Sequence, residues 1–124
     1  MPFTADSIEQ RSRQFAIDTV TLTRRLSADR QLWDISRQLA RAATSVGANH
    51  RAMRRARSLK EFAAKLQVVN EEIDETCYWL DLVRGLVSAP GPDLVALQRE
   101  AVELRSIFAK ARSTTRLKLR GGVG

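Results

Sequence analysis

The feature that most restricts the fold of this chain is the spacing of its apolar residues, which recur alternately three and four positions apart in several segments. Such spacing places the apolar side chains on one stripe of an α-helix. The longest stripe continues through more than three heptads and consists of Leu59, Phe62, Leu66, Val69, Ile73, Thr76, Leu80 and Val83. A stripe of this length predicts a helix that packs against other helices along its whole length.

The ends of the helices are marked by capping residues and turns. DSIEQ, residues 6–10, offers two overlapping candidate capping boxes for the first helix, and Ser58 with Glu61 forms one for the third. SAPGPD, residues 88–93, predicts a turn because its two prolines lack amide donors and its glycine is flexible. The expected helices cover residues 7–26, 30–50, 59–87 and 92–114, and a mobile basic tail is expected over residues 115–124.

Four amphipathic helices with short links bury their stripes together in an antiparallel bundle. The composition agrees, because aromatic residues make up only 6% of the chain and it contains 3 prolines. We therefore expect an all-α protein, an up-down-up-down four-helix bundle in which residues 1–124 form a single domain. The single cysteine and the lack of an apolar leader or membrane span predict a cytoplasmic protein that does not enter a membrane.

Catalytic and metal-binding chemistry is poorly represented. One histidine and one cysteine cannot assemble the usual zinc ligand sets. NEEIDE, residues 70–75, is the one carboxylate cluster, and its spacing is typical of a solvated or salt-bridged helix face. The sequence therefore predicts no catalytic residue, no metal site, no cofactor and no enzymatic activity.

Positive charge is concentrated in two stretches of a chain whose net charge is +7. HRAMRRARS, residues 50–58, is interpreted as an exposed link between the second and third helices, and the chain contains no acidic residue after Glu103. Arginine forms bidentate contacts with phosphate, so both stretches are typical of a surface for nucleic acid. The predicted nucleic-acid-binding residues are Arg51, Arg54, Arg55, Arg57, Arg112, Arg116, Lys118 and Arg120.

A second group of residues is predicted to join subunits. A row of small residues beside Trp33 on the second helix predicts that this helix is covered on two sides, by its own bundle or by another subunit. Acidic residues of the third helix complement arginines of the second, and tryptophan is enriched where subunits meet. The predicted subunit-interface residues are Trp33, Arg37, Arg41, Glu71, Glu72, Glu75 and Trp79.

Three stretches in the middle of the chain carry a family resemblance: QLARAATSVGAN at 38–49, RSLKEF at 57–62 and ETCYWLDL at 75–82. They resemble the bacterial four-helix-bundle family that includes proteins encoded in the intervening sequences of 23S ribosomal RNA genes. That family is similar in fold to the accessory protein of diversity-generating retroelements, a positively charged five-fold barrel that works with a reverse transcriptase and nucleic acid. The resemblance implies a ring-shaped homopentamer and binding of RNA or DNA.

Two functions remain open on the sequence. The first is a non-enzymatic, basic bundle that binds RNA or DNA through contacts to the sugar-phosphate backbone. The second is an assembly scaffold or accessory protein that docks another protein, for example a reverse transcriptase, and uses its arginines mainly between subunits. The surplus of positive charge and the basic C-terminal stretch favour the first function.

Overall fold

The computed structural model describes residues 4–121, and within that range it contains four α-helices and no strand. Each helix packs against the next one along the chain, and the first also lies beside the fourth, so the helices form one bundle. A 3-10 turn, Arg30–Leu32, precedes the second helix. The helices are α1 (Ala5–Leu26), α2 (Trp33–Arg54), α3 (Leu59–Leu86) and α4 (Pro92–Arg120).

The predicted apolar stripes form the core of this bundle. The stripe of α3 is the most completely enclosed, since Leu66, Val69, Ile73, Leu80 and Val83 are all 0% exposed. Burying a side chain of this size contributes about 1.5–3 kcal/mol relative to leaving it in water. The core is completed from the other helices by Ile8, Phe15, Leu22, Leu39, Ala42, Ala43, Val46, Leu94, Leu97, Ala101, Leu104 and Phe108.

The row of small residues on α2 is covered by α1 of the same chain. Ser36 and Ala43 are buried, and a Cβ atom added to Gly47 would lie 3.5 Å from the carbonyl oxygen of Ser12. This distance is ordinary van der Waals contact, so the glycine lets the two helix backbones approach closely. The second cover predicted for α2 is thus supplied by its own bundle.

The ends of three helices differ from their predicted positions. α1 is capped by Thr4, whose side chain accepts a hydrogen bond from the amide of Ser7 at 3.0 Å, so neither candidate box in residues 6–10 forms the cap. α2 continues to Arg54 because His50 and Met53 occupy buried positions on its apolar side. Most of residues 50–58 is therefore helical, and only residues 55–58 form the link to α3.

α4 extends well beyond its predicted end. Residues 115–120 were expected to belong to a mobile tail, but they continue the helix, and Gly121 follows as its C-cap. The physical reason is packing, because Thr115 is buried and Leu119 lines a cleft with Ala63 and Ala64 of α3. The last part of the predicted tail, residues 122–124, lies outside the described residues.

One titratable group lies inside the core. His50 is 3% exposed, its ring centroid lies 5.5 Å from that of Phe108, and its Nδ1 atom has no hydrogen-bond partner among the described residues. Burial lowers the pKa of His50; the carboxylate of Glu9 opposes this shift and the nearby charge of Arg54 adds to it. The folded chain therefore favours the neutral imidazole.

We expect the protein to lose stability as the pH falls from about 7 to about 5. Below the ordinary imidazole pKa of about 6.5, the unfolded chain binds a proton that the folded chain resists, so protonation favours unfolding. Thermal unfolding followed by circular dichroism at both pH values measures the effect. His50→Leu should remove most of this dependence, and an equal loss of stability in the variant would show that another group is responsible.

Candidate nucleic-acid interface

The bundle topology brings the two predicted basic clusters to the same end of the molecule. α3 begins directly after its link to α2, and its first turns pack against the last turns of α4. Ala63 of α3 lines one cleft together with Arg116 and Leu119 of α4. We call this part of the molecule, residues 51–65 together with residues 110–120, the basic end.

The basic end contains eleven cationic side chains and one carboxylate, that of Glu61. Among these cations, only Arg54 and Arg57 form an ion pair within the described part of the chain. Uncompensated cations that lie close together create a strongly positive surface potential. The nine cations that form no ion pair within residues 4–121 are Arg51, Arg55, Lys60, Lys65, Lys110, Arg112, Arg116, Lys118 and Arg120.

Three of these cations form an ordered row on α4. Arg112, Arg116 and Arg120 recur at every fourth position, so they lie on neighbouring parts of one helix face in steps of about 6 Å along the axis. Arg112 is half-buried, and its Nε atom is enclosed without a hydrogen-bond partner in the described structure. We refer to these three residues as the arginine row.

Arg54 has a structural role that the sequence did not reveal. It donates hydrogen bonds to Asp6 at 2.9 Å and to Glu9 at 3.2 Å, and thereby joins the last turn of α2 to the first turn of α1. The hydrogen bond to Asp6 raises the pKa of Arg54 above its ordinary value. Arg57, in contrast, is 89% exposed and lies 3.7 Å from Glu61, so it remains accessible to solvent.

The residues predicted for a subunit interface are only partly brought together. Arg41 of α2 forms ion pairs with Glu72 and Glu75 of α3, and the indole nitrogen of Trp79 donates to Glu75 at 3.0 Å. The complementary charges of the second and third helices are thus used inside one chain. Trp33, Arg37 and Glu71 lie outside this network.

Two aromatic rings are exposed, one at the start of α2 and one on α3. Trp33 is 49% exposed; its indole nitrogen donates to the carbonyl of Ser27, and the guanidinium of Arg30 lies 5.4 Å from its ring centroid. Tyr78 is 55% exposed and contacts Trp79 edge to face. Tyr78 was not among the residues predicted for a subunit interface.

Three cations of the basic end were also missed by the sequence analysis. Lys60 and Lys65 lie on the first turns of α3, and Lys110 lies on α4 before the arginine row. The two basic stretches are separate in the sequence, and the contact between α3 and α4 adds these lysines to the same surface. For Lys110, the sequence signal that indicates a place on this surface is the basic run after Arg105, which includes it.

The described residues contain no group of three or more histidine, cysteine or acidic side chains that could hold a metal ion. Cys77 packs against the core, and burial raises the pKa of its thiol, which keeps it protonated. None of the helices in residues 4–121 is long and apolar enough to cross a membrane.

The fold and the surface define the class of protein: a small arginine-rich four-helix bundle with a concentrated basic end. The family model described as 23S rRNA-intervening sequence protein matches residues 6–110, and the chain belongs to this family. The resemblance seen in three stretches of the sequence is thereby confirmed.

A solved structure supports the same assignment. The chain is similar to a protein of Bacteroides thetaiotaomicron VPI-5482 that is described as a protein with unknown function from the S23 ribosomal protein family. The TM-score is 0.78 at 27% sequence identity, and the match covers 85% of this chain and 97% of that chain. No curated protein matches the chain.

We expect Arg54→Ala to lower the thermal unfolding midpoint, because it removes the ion pairs between α2 and α1 and leaves Asp6 and Glu9 without their partner. Arg55→Ala is the matched control, since Arg55 is exposed and forms no ion pair among the described residues. Circular dichroism melts of both variants measure the difference. Equal midpoints for the two variants would show that the Arg54 ion pairs do not stabilise the fold.

Proposed function

We propose that this protein binds RNA or DNA through the phosphate backbone, that the basic end is the binding surface, and that the protein is not an enzyme. The observation that carries the proposal is the set of nine cations at one end of the bundle that have no carboxylate partner within residues 4–121. A polyanion supplies the missing negative charge and releases its own counterions on binding.

The character of the basic end favours contacts to phosphates over contacts to bases. Its aromatic side chain Phe62 is half-buried, and the exposed rings Trp33 and Tyr78 belong to other parts of the bundle. Proteins that recognise unpaired bases generally stack them on exposed aromatic rings. Binding through the basic end is therefore expected to depend strongly on salt and weakly on nucleotide sequence.

We further propose that the protein acts in the cytoplasm as a ring-shaped homopentamer, which the family resemblance implies. The exposed rings of Trp33 and Tyr78 support self-association, because aromatic residues and arginine are enriched in the centres of subunit interfaces. A ring repeats the basic end once per subunit. Several weak contacts to one long nucleic acid then act together and raise the apparent affinity.

The alternative is an assembly scaffold or accessory protein that docks another protein, for example a reverse transcriptase. The same exposed aromatic rings favour it. The use of arginines between subunits, which is part of this alternative, receives less support, because Arg41 is already paired with Glu72 and Glu75 of its own chain. Under this alternative the basic end has a role only if the docked protein carries an acidic surface.

We expect RNA and DNA oligomers to bind the protein. The logarithm of the association constant should fall linearly with the logarithm of the salt concentration, with a slope of about −0.9 for each phosphate neutralised on a duplex. Arg116→Ala combined with Arg120→Ala should weaken binding and reduce the slope. The matched control combines Arg24→Ala with Arg99→Ala, two exposed arginines without ion pairs in the described structure and away from the basic end.

Fluorescence anisotropy with a labelled oligomer at several salt concentrations measures both quantities. A larger loss in the control variant than in the basic-end variant would contradict the proposed surface. No binding by the unmodified protein at low salt would contradict the function itself and leave the scaffold alternative.

Self-association has its own test. We expect Trp33→Asp with Tyr78→Asp to lower the mass measured by sedimentation velocity, because two charged side chains replace the exposed rings. Val102→Asp on α4 is the control, since Val102 is similarly exposed at 48%. Sedimentation of the unmodified protein as a monomer at every concentration tested would contradict the proposed ring.

A further inference from the structure

α4 extends past the helix that packs on one of its faces. The line along which α1 lies on α4 is marked by ion pairs, from Arg25 with Asp93 to Arg11 with Glu100 and Glu103. α1 extends about two turns beyond Arg11 towards its first residue, Ala5, whereas α4 extends about five turns beyond Glu103 in the same direction. The final turns of α4 therefore have α3 beside them, but not α1.

A groove of about 700 Å³ lies on this uncovered part of α4. Phe62 of α3 and Ile107 and Ala111 of α4 line it; they are half-buried and pack against the apolar core. Its charged lining consists of Lys110, Lys118 and, at the edge nearest α1, Glu103, which is paired with Arg11. The groove thus combines an apolar surface that is continuous with the core and two cations that lack an ion pair in the described structure.

The charge on this face of α4 changes sign where α1 ends. Alongside α1, the face carries Asp93, Glu100 and Glu103, and α1 supplies arginines that neutralise them. Beyond α1, the same face carries Lys110 and Lys118 instead. A helix that continued along the line of α1 would need apolar residues toward the groove and carboxylates where α1 has arginines.

The main acidic cluster of this chain, on α3, does not suit the groove when it comes from a second copy. Ile73 within that cluster is 0% exposed, and Glu72 and Glu75 are paired with Arg41. The charge and burial of this chain therefore favour a different protein as the occupant.

We propose that an acidic amphipathic helix of a partner protein docks in this groove, with its apolar side against Phe62, Ile107 and Ala111 and its carboxylates beside Lys110 and Lys118. Binding of an amphipathic helix in an apolar groove is an established mode of recognition. This site goes beyond the proposed function, because its occupant is a protein helix and its anchors are apolar. Lys110 and Lys118 belong to both the groove and the basic end, whereas the arginine row lies on a different side of α4, where Arg112 and Arg116 line the clefts that face α3.

The probe is a fluorescein-labelled peptide with leucines spaced three and four apart and glutamates at the other positions. A control peptide has lysines in place of the glutamates, and a second control has the acidic composition in an order that gives no apolar side. Fluorescence anisotropy with the full chain should show binding of the acidic amphipathic peptide and much weaker binding of both controls.

Variants locate the binding site. Ile107→Asp should weaken binding of the acidic peptide by about tenfold or more, as expected for a central apolar anchor. Lys110→Ala with Lys118→Ala, which leaves the apolar surface intact, should also weaken it even if Ile107→Asp fails to fold by circular dichroism. Arg116→Ala with Arg120→Ala should leave peptide binding within about twofold of the unmodified protein, since that pair lies outside the groove.

Three results would overturn the proposal. Equal losses in the groove variants and the arginine-row variant would show attraction to the basic end in general. A change in sedimenting mass caused by Lys110→Ala with Lys118→Ala would show that a second copy occupies the groove. Peptide binding only after deletion of residues 1–3 would show that the chain covers its own groove. Nucleic-acid binding is scored separately in each variant, so either proposal can fail while the other stands.

Discussion

The packing of α3 between α2 and α4 is the constraint on which the rest of the structure depends. The apolar stripe of α3 is completely buried from Leu66 to Val83, and α3 runs antiparallel to both neighbours. Its first residues therefore lie beside the end of α2 and the end of α4. The concentration of arginine and lysine at this end is a consequence of the topology, because residues 51–65 and residues 110–120 are far apart in the chain.

The charged residues of this bundle fall into two groups with different partners. Arg11, Arg25 and Arg41 are paired with carboxylates of neighbouring helices, and the hydrogen bond to Glu100 raises the pKa of Arg11. At the basic end, nine of the eleven cations form no ion pair within the described residues. Like charges that are brought together by folding repel one another and destabilise the compact chain. A polyanionic partner relieves this repulsion, which links the fold to the proposed function.

The sequence predicted the number of helices and their apolar stripes, because spacing alone determines which face of a helix can be buried. The Ser58 cap is also confirmed, since its hydroxyl accepts from the amide of Glu61 at 3.0 Å. The ends of α2 and α4 were not predictable in this way. They depend on the burial of His50, Met53 and Thr115 against other helices, and local capping signals do not report such contacts.

The candidate site was predictable only in part. The basic stretches are visible in the sequence, but their proximity depends on how the helices pack. The ion pairs of Arg54 join it to carboxylates that are 45 and 48 positions away, so its structural role could not be read from its neighbours. The ion pairs of Arg41 with Glu72 and Glu75 within one chain likewise depend on helix packing, because they join α2 to α3.

The most direct test of the central claim is to map where nucleic acid contacts the protein. RNA that contains a photoreactive nucleotide is crosslinked to the unmodified protein at low salt, and the attached peptides are identified by mass spectrometry. The account predicts crosslinks in residues 51–65 and 110–120, with few elsewhere. Crosslinks concentrated around Trp33 and Tyr78 would contradict it.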